Sequence, residues 1–350
     1  MAAFFSLLGK QILQPYIIFM DFLSTSYNNC MLCPRQCHVD RTASKGYCQC
    51  GSSIKIARAA LHQWEEPCIS GTLGSGTVFF SGCTLRCCFC QNSKISQHHF
   101  GTEITPQQLA DIFLTLQSQG AHNINLVTAT QYLPSILKAL DLSKHKLHIP
   151  IVYNCGGYES IETVLLLKDY VDIWLPDLKY MDPELSMRYS QAPDYFEKAS
   201  EAILKMVEIS KTPLFVPLAS ALNNTSLFQS DQILTGIPEQ PEQYLMLHGV
   251  IIRHLVLPGA KKDSIHLLEW IQKNLPKGQY LISLMSQYTP YHVDSLHPEL
   301  NRRITSYEYQ QVVDTALSLG LQDGFMQKKS SAKEEYTPPF NLEGCPCPEP

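Results

Sequence analysis

The sequence has no long apolar run. Residues 1–23 are rich in apolar side chains, but Lys10, Gln11, Pro15 and Asp21 interrupt them. That leaves nothing near the roughly 18 uninterrupted residues a membrane-spanning helix needs. A basic n-region and a small-residue cleavage site are missing too, and no arginine precedes Arg35, which disfavours secretory and mitochondrial leaders. Residues 1–27 read as an N-terminal extension packed on the body or on a partner, with no membrane role. Basic runs are also lacking. With 27 Lys and Arg against 32 Asp and Glu, the formal net charge of −5 excludes a nucleic-acid footprint. Cysteine is not spread as in a secreted disulfide scaffold. Most of the 13 crowd between Cys30 and Cys90, a clustering that favours metal binding in a reducing, cytoplasmic setting.

Within that crowd stands Cys83-Thr-Leu-Arg-Cys87-Cys-Phe-Cys90, a C-x3-C-x2-C spacing with an aromatic before its last cysteine. Three thiolates this close can hold three irons of a cubic [4Fe–4S] cluster and leave the fourth open to a ligand. The other readings are a zinc site or three buried cysteines. Cys88 breaks no spacing and reads as a non-ligand. Upstream, Cys30, Cys33, Cys37 and Cys48 supply four soft ligands, enough for zinc or a second iron–sulfur cluster, and Cys50 can stand in for Cys48.

Strand and helix signals alternate along the rest of the chain. Thr77–Ser81 reads as a buried strand running into the cysteine loop, and Thr105-Pro106-Gln-Gln108 as a helix-opening capping box. Further strands are expected at 123–128, 149–154, 171–176, 250–257 and 280–285. Helices are expected at 134–144, 161–169, 183–209 and 264–274, with a last one around Val312 and Ala316. This pattern predicts an α/β fold, a partial (β/α)6 barrel with an N-terminal cysteine-rich module, whose chemistry sits at the C-terminal strand ends. The expected divisions are an extension at 1–27, the cysteine-rich module at 28–76 and the barrel at 77–328. An inserted loop at 211–248 and an irregular tail at 329–350 complete them.

With the strands placed, the chain resembles the radical SAM superfamily. It is most similar to the relatives of pyruvate formate-lyase activating enzyme, in the branch named for a second such enzyme. The resemblance covers roughly residues 28–345. It rests on Cys30-Met-Leu-Cys33-Pro-Arg-Gln-Cys37, Ala59–Gly71, Gly74–Cys83, Asn123–Thr128, Leu175-Pro-Asp177-Leu-Lys179-Tyr-Met-Asp182, Arg253–Gly259 and Leu284–Tyr291. It implies the radical SAM core fold, Cys83, Cys87 and Cys90 as cluster ligands, and S-adenosylmethionine on the open iron. It also implies reductive cleavage to a 5′-deoxyadenosyl radical that abstracts hydrogen.

The resemblance carries further residues with it. Phe89 is implied to enclose the adenine and cluster edge, or simply to fill the loop. Thr128 and Thr130 stand where the superfamily commonly has Gly-Gly-Glu for the methionine amino group. Asn154 is a polar contact at a strand end. Asp177 and Lys179, two apart on extended chain, project to the same side, near SAM and its carboxylate, or form a structural ion pair. Arg253 and His254 face opposite ways, and Arg253 is implied as partner of the SAM carboxylate. His292 is implied near the ribose. Glu65 and Glu66 read as acid–base groups or as structural charges. The implied substrate is a glycine of a protein or peptide, as in glycyl-radical activation, served by a flavodoxin- or ferredoxin-type electron donor. A small-molecule substrate, and a zinc-binding scaffold without catalysis, are the competing readings.

Overall fold

A computed structural model describes residues 26–221, 232–290, 296–327 and 338–346. Eleven strands form its sheet framework: β1 (Ile54–His62), β2 (Ser75–Phe80), β3 (Thr102–Ile104), β4 (Ile124–Val127), β5 (Ile151–Cys155), β6 (Ile173–Pro176), β7 (Leu214–Pro217), β8 (Leu234–Thr235), β9 (Tyr244–Leu255), β10 (Leu281–Met285) and β11 (Gly324–Met326). The main path runs β11-β10-β9-β6-β5-β4-β2-β1-β3. From β2 through β11 every neighbouring pair on it is parallel. Each of β2, β4, β5, β6, β9 and β10 leads to a helix on the outside. In chain order these are α1 (Pro106–Ser118), α2 (Leu133–Ser143), α3 (Ile161–Leu167), α4 (Pro183–Ser190) with α5 (Tyr195–Ser210), α6 (Lys261–Asn274) and α7 (Ser306–Ser318). This is the expected partial (β/α)6 barrel.

The strands explain themselves. Ser75-Gly-Thr-Val-Phe-Phe80 is buried at every position, as a parallel strand covered on both faces must be. Its outward residues, Val78 and Phe80, pack under the helices with Leu126, Tyr132 and Tyr153. Inside, Val152, Ile173, Leu175, Ile251 and Leu281 form an apolar plug with Cys68 and Ile69, from the turn Pro67–Ser70. The capping box at α1 is present: Thr105 Oγ1 accepts from Gln108 N at 3.2 Å, and Thr105 N donates to Gln108 Oε1 at 2.8 Å.

Two expectations need correction, and one strand was not foreseen. The helix read over 183–209 is two helices. Gln191 takes a left-handed conformation (φ 51°) and Pro193 follows, so the ladder stops at Ser190 and restarts at Tyr195. The segment 211–248 is not simply a loop. It contains β7 and the first half of the twelve-residue β9, which pair antiparallel. Its Pro and Gln content hid these strands; residues 222–231 lie outside the description. Finally, β1, unforeseen from the sequence, pairs antiparallel with β2 and extends the sheet beyond the cysteine loop.

Residues 26–53 form turns without helix or strand, gathered around the buried Arg41. Its Nε donates to Cys50 O (3.1 Å), Nη1 to Gln131 O (2.6 Å) and Nη2 to Gly51 O (2.5 Å), and its guanidinium lies 5.0 Å over the Tyr27 ring. Arg41 thereby ties the cysteine-rich turns to the end of β4. Arg41→Met strands those carbonyls in the interior, and we expect a loss of about 3 kcal/mol. Urea denaturation checks this; a loss below about 1 kcal/mol would show that the turns hold without it.

Candidate functional site

The strand β2 ends where the cysteine loop begins, and the loop's path is fixed by backbone constraint. Gly82 has φ +83°, and a Cβ there would fall 2.1 Å from Cys50 Sγ. Arg86 also turns left-handed (φ 54°). Gly82 N donates to Ile95 O at 2.9 Å and Cys88 N to Tyr189 O at 2.9 Å, so the loop is pinned on two sides. Each expected ligand sulfur accepts a hydrogen bond: Cys83 Sγ from Leu85 N (3.4 Å), Cys87 Sγ from Ser190 Oγ (3.0 Å) and Cys90 Sγ from Ser96 Oγ (3.2 Å).

Burial, and then the neighbouring Cys87 and Cys90, push the Cys83 thiol up to about 12, and burial raises Cys90 as well. Cys83 and Cys90 therefore do not ionise together unless a cationic group shares their charge. Among the described residues, no three His, Cys, Asp or Glu side chains form a site for a single metal ion. A cubane cluster spreads its cysteines over separate irons, so the loop's soft, hydrogen-bonded donor set fits that group instead. Phe89 is 6% exposed and meets Tyr180, Tyr189 and Tyr288 edge-on at 6.1–6.3 Å; it fills the centre of the loop.

Beside the loop lies a buried charged network. Arg253, on β9, donates from Nε to Asp177 Oδ1 (2.9 Å), from Nη1 to Glu65 Oε2 (3.2 Å) and from Nη2 to Asn154 Oδ1. Lys179 Nζ pairs with the other Asp177 oxygen, and its backbone N donates to Tyr195 OH. Burial disfavours the Asp177 carboxylate, yet Arg253 and Lys179 outweigh it and hold its pKa below the usual range. Burial likewise opposes the Lys179 charge, but Asp177 and the nearby Cys87 raise it. For Glu65 and Glu66 burial prevails over the pull of Arg253, and both carboxyls are raised. Glu66 Oε2 and both side-chain polar atoms of Asn125 are buried without a well-formed hydrogen bond. His254 faces the other way, as expected, between Leu178 O (2.6 Å) and Ser264 Oγ (2.9 Å).

The structure thus gathers Asn154, Asp177, Lys179 and Arg253 and adds Glu65. Three of the five Arg253 guanidinium donors are engaged within the protein. Thr128 marks a strained strand end (φ 58°), and its carbonyl accepts from Gln131 Nε2 at 2.7 Å. Thr130 is committed elsewhere: its hydroxyl donates to Glu159 Oε1 (2.7 Å) and meets Tyr153 OH (3.0 Å). His292 lies outside the described residues. Asn125 was missed, although an amide inside Ile-Asn-Leu-Val is a signal in itself; the thiol donors Ser96 and Ser190 carry none.

The upstream cysteines sit together against this loop. Gly46 is flanked by two of them, since a Cβ there would lie 3.2 Å from Cys37 Sγ and 3.6 Å from Cys48 Sγ. Arg41 Nη1 points at Cys30 Sγ from 3.8 Å. Hydrogen bonding from the Cys50 thiol, against the cost of burial and with help from Arg41, lowers Cys48 to about 6. Cys33 is pushed up by burial, with Cys48 and Glu159 nearby.

Glu159 generates a pH prediction. Burial raises its carboxyl from 4.5 to about 8, against the bonds from Thr130 and Tyr153. Its folded pKa exceeds its unfolded one, so the stability it contributes is full below pH 4.5 and is lost as pH rises through about 8. In that window the slope is about 1.4 kcal/mol per pH unit. Urea midpoints of metal-free protein at pH 5 and pH 9 should fall steeply for the wild type and less for Glu159→Gln. Equal slopes would contradict the assignment.

The sequence model of the Radical SAM superfamily matches residues 77–218, from β2 through β7. An uncharacterized protein of Methanocaldococcus jannaschii is 30% identical over 308 residues, 85% of this chain and 77% of that protein. Among solved structures, Streptococcus suis SuiB bound to precursor peptide SuiA is similar at 12% identity and TM-score 0.44. That match covers 70% of this chain and 46% of SuiB, so the chain spans about half of SuiB's length. A domain of pyruvate-formate lyase-activating enzyme from Bacteroides vulgatus aligns at 17% identity and TM-score 0.32, over 64% of this chain and 91% of the domain. The family match falls on the strands and the cysteine loop just described, and residues 77–218 form a domain of the radical SAM superfamily.

Proposed function

We propose that the chain is a radical SAM enzyme that takes a hydrogen atom from a protein or peptide, in the manner of a glycyl-radical activating enzyme. The observation that supports this best is the pairing of three hydrogen-bonded cysteine sulfurs with a buried Asp177–Lys179–Arg253 network beside them. Cys83, Cys87 and Cys90 would hold the [4Fe–4S] cluster. Bound there, cluster and S-adenosylmethionine supply an electron and a carbon radical able to break a C–H bond.

The protein's own part is binding and placement. Lys179 lies near Cys87 and pairs with Asp177, and its ammonium carries three donors, one of them spent on that carboxylate. It is the cation with donors to offer the SAM carboxylate. Arg253, held by Asp177, Glu65 and Asn154, positions Asp177 rather than reaching the cofactor itself. The Cys30, Cys33, Cys37 and Cys48 set, soft donors that do not converge on a single ion, would take a second cluster. A flavodoxin- or ferredoxin-type protein would deliver the electron.

Anaerobic reconstitution tests the assignment. We expect about four irons lost in a Cys83→Ala, Cys87→Ala, Cys90→Ala variant. Lys179→Met should keep its iron but bind SAM at least tenfold more weakly by equilibrium dialysis, equivalent to about 1.4 kcal/mol. Unchanged iron in the triple variant would overturn the cluster assignment, and unchanged SAM binding would overturn the role of Lys179. Glycine as hydrogen donor has its own test. In extract of cells grown on α-deuterated glycine, 5′-deoxyadenosine should acquire deuterium; unlabelled product would contradict it.

A further inference from the structure

We propose that the outer edge of β1 beside the cysteine loop is a peptide-docking surface, and that Phe340–Cys345 of this chain occupies it as an internal stand-in. The peptide it takes is extended, with an aromatic anchor and, three residues later, an acid followed directly by glycine. This deepens the proposed function, resting on it only in treating the bound peptide as substrate.

The edge is left open by the sheet itself. β3 pairs with β1 at Ile54–Ile56, so among the described residues no strand lies beside Ala57 and the residues after it on that side. The segment near the C-terminus fills the gap by strand addition: Leu342 N donates to Ala57 O at 3.1 Å, and Ala59 N to Glu343 O at 2.8 Å. Phe340 anchors one end. Its ring meets Phe79 edge-on at 5.4 Å, within a pocket shared by Ala57, Ile95 and Val127. Its carbonyl accepts from Lys94 Nζ at 2.6 Å.

The pocket adjoins the chemistry. Lys94 and Ile95 belong to the turn after Cys90, where Ser96 bonds the Cys90 sulfur. Val127 pairs across the sheet with Asn154, which holds Arg253. A segment lying here touches the turn that follows the cysteine loop and the strand next to Asn154.

Two features select the occupant. At Gly344 (φ +70°) a Cβ would fall 1.8 Å from Ala59 O, so no other residue fits over the strand. Arg58 is more than nine-tenths buried and spends only Nη2 on the segment, in a 2.8 Å pair with the half-exposed Glu343. Its Nε and Nη1 point inward with no hydrogen-bond partner. The stand-in therefore leaves the surface's cation partly unsatisfied. The acid of a docked peptide would take the place of Glu343 on Arg58 Nη2.

Fluorescence anisotropy with a labelled synthetic peptide, Pro-Pro-Phe-Asn-Leu-Glu-Gly-Ser-Pro, tests the surface on the full-length chain. A Phe340→Ser, Glu343→Lys variant, which loosens the internal segment, should bind the peptide at least tenfold more tightly than wild type. Adding Arg58→Met should abolish that gain, and a peptide with valine for its glycine should not bind. A second form, with a specific protease site placed within residues 328–337, frees the segment by cleavage and leaves both partners' sequences intact. If neither form gains peptide binding, or if the valine peptide binds equally, the proposal is overturned. The measurement needs neither iron nor SAM. Its failure would leave the radical reading standing, and loss of that reading would leave the peptide result standing.

Discussion

The site depends on one buried guanidinium. Arg253 sits inside the barrel and draws together β5 through Asn154, the end of β6 through Asp177, and the segment after β1 through Glu65. A cation this enclosed is stable only with its donors matched, so the three partners are held wherever Arg253 holds them. Asp177 then fixes Lys179, and Lys179 lies beside the cysteine loop. The chain of dependence runs from one strand residue to the edge of the cysteine site. It also leaves an excess of acid: burial opposes Glu65, Glu66 and Asp177 alike, and only Asp177, met by both Arg253 and Lys179, ends below its usual range.

The cysteine loop is gripped from two directions. Cys50, from the N-terminal turns, lies so close to Gly82 that no side chain could stand there. From the other end of the chain, Phe340 packs on Phe79 and Ile95. Arg41 locks the first contact to β4, and Arg58 closes the second along β1. Both grips use a buried arginine against backbone carbonyls or a carboxylate. Leu85 and Phe89 anchor the loop from within, and these two grips hold it from outside.

Much of the barrel was legible because parallel strands covered on both faces read as short apolar runs bounded by turn residues. The cysteine spacing, the helix-opening capping box and the shared side of Asp177 and Lys179 are local facts, and the structure agrees with each. What could not be read was non-local. β1 carries Lys55 and Arg58 and pairs antiparallel outside the repeat, so no alternation announces it. The break at Gln191 depends on one left-handed residue in an otherwise helical pattern. Thr130 looked available at a strand end, but only the fold reveals Glu159 and Tyr153 waiting for its hydroxyl. Arg253, implied as a partner of the SAM carboxylate, likewise meets Asp177, Glu65 and Asn154 only in the fold. Pattern locates a charged residue on a face; it does not say which distant residues already meet it.

The most direct test of the account is electron paramagnetic resonance of the anaerobically reconstituted, reduced protein, recorded with and without S-adenosylmethionine. The account predicts a reduced-cluster signal that shifts when SAM is added and is missing from a chain lacking the sulfurs of Cys83, Cys87 and Cys90. A cluster signal indifferent to SAM, or one that survives the loss of those three cysteines, would contradict it.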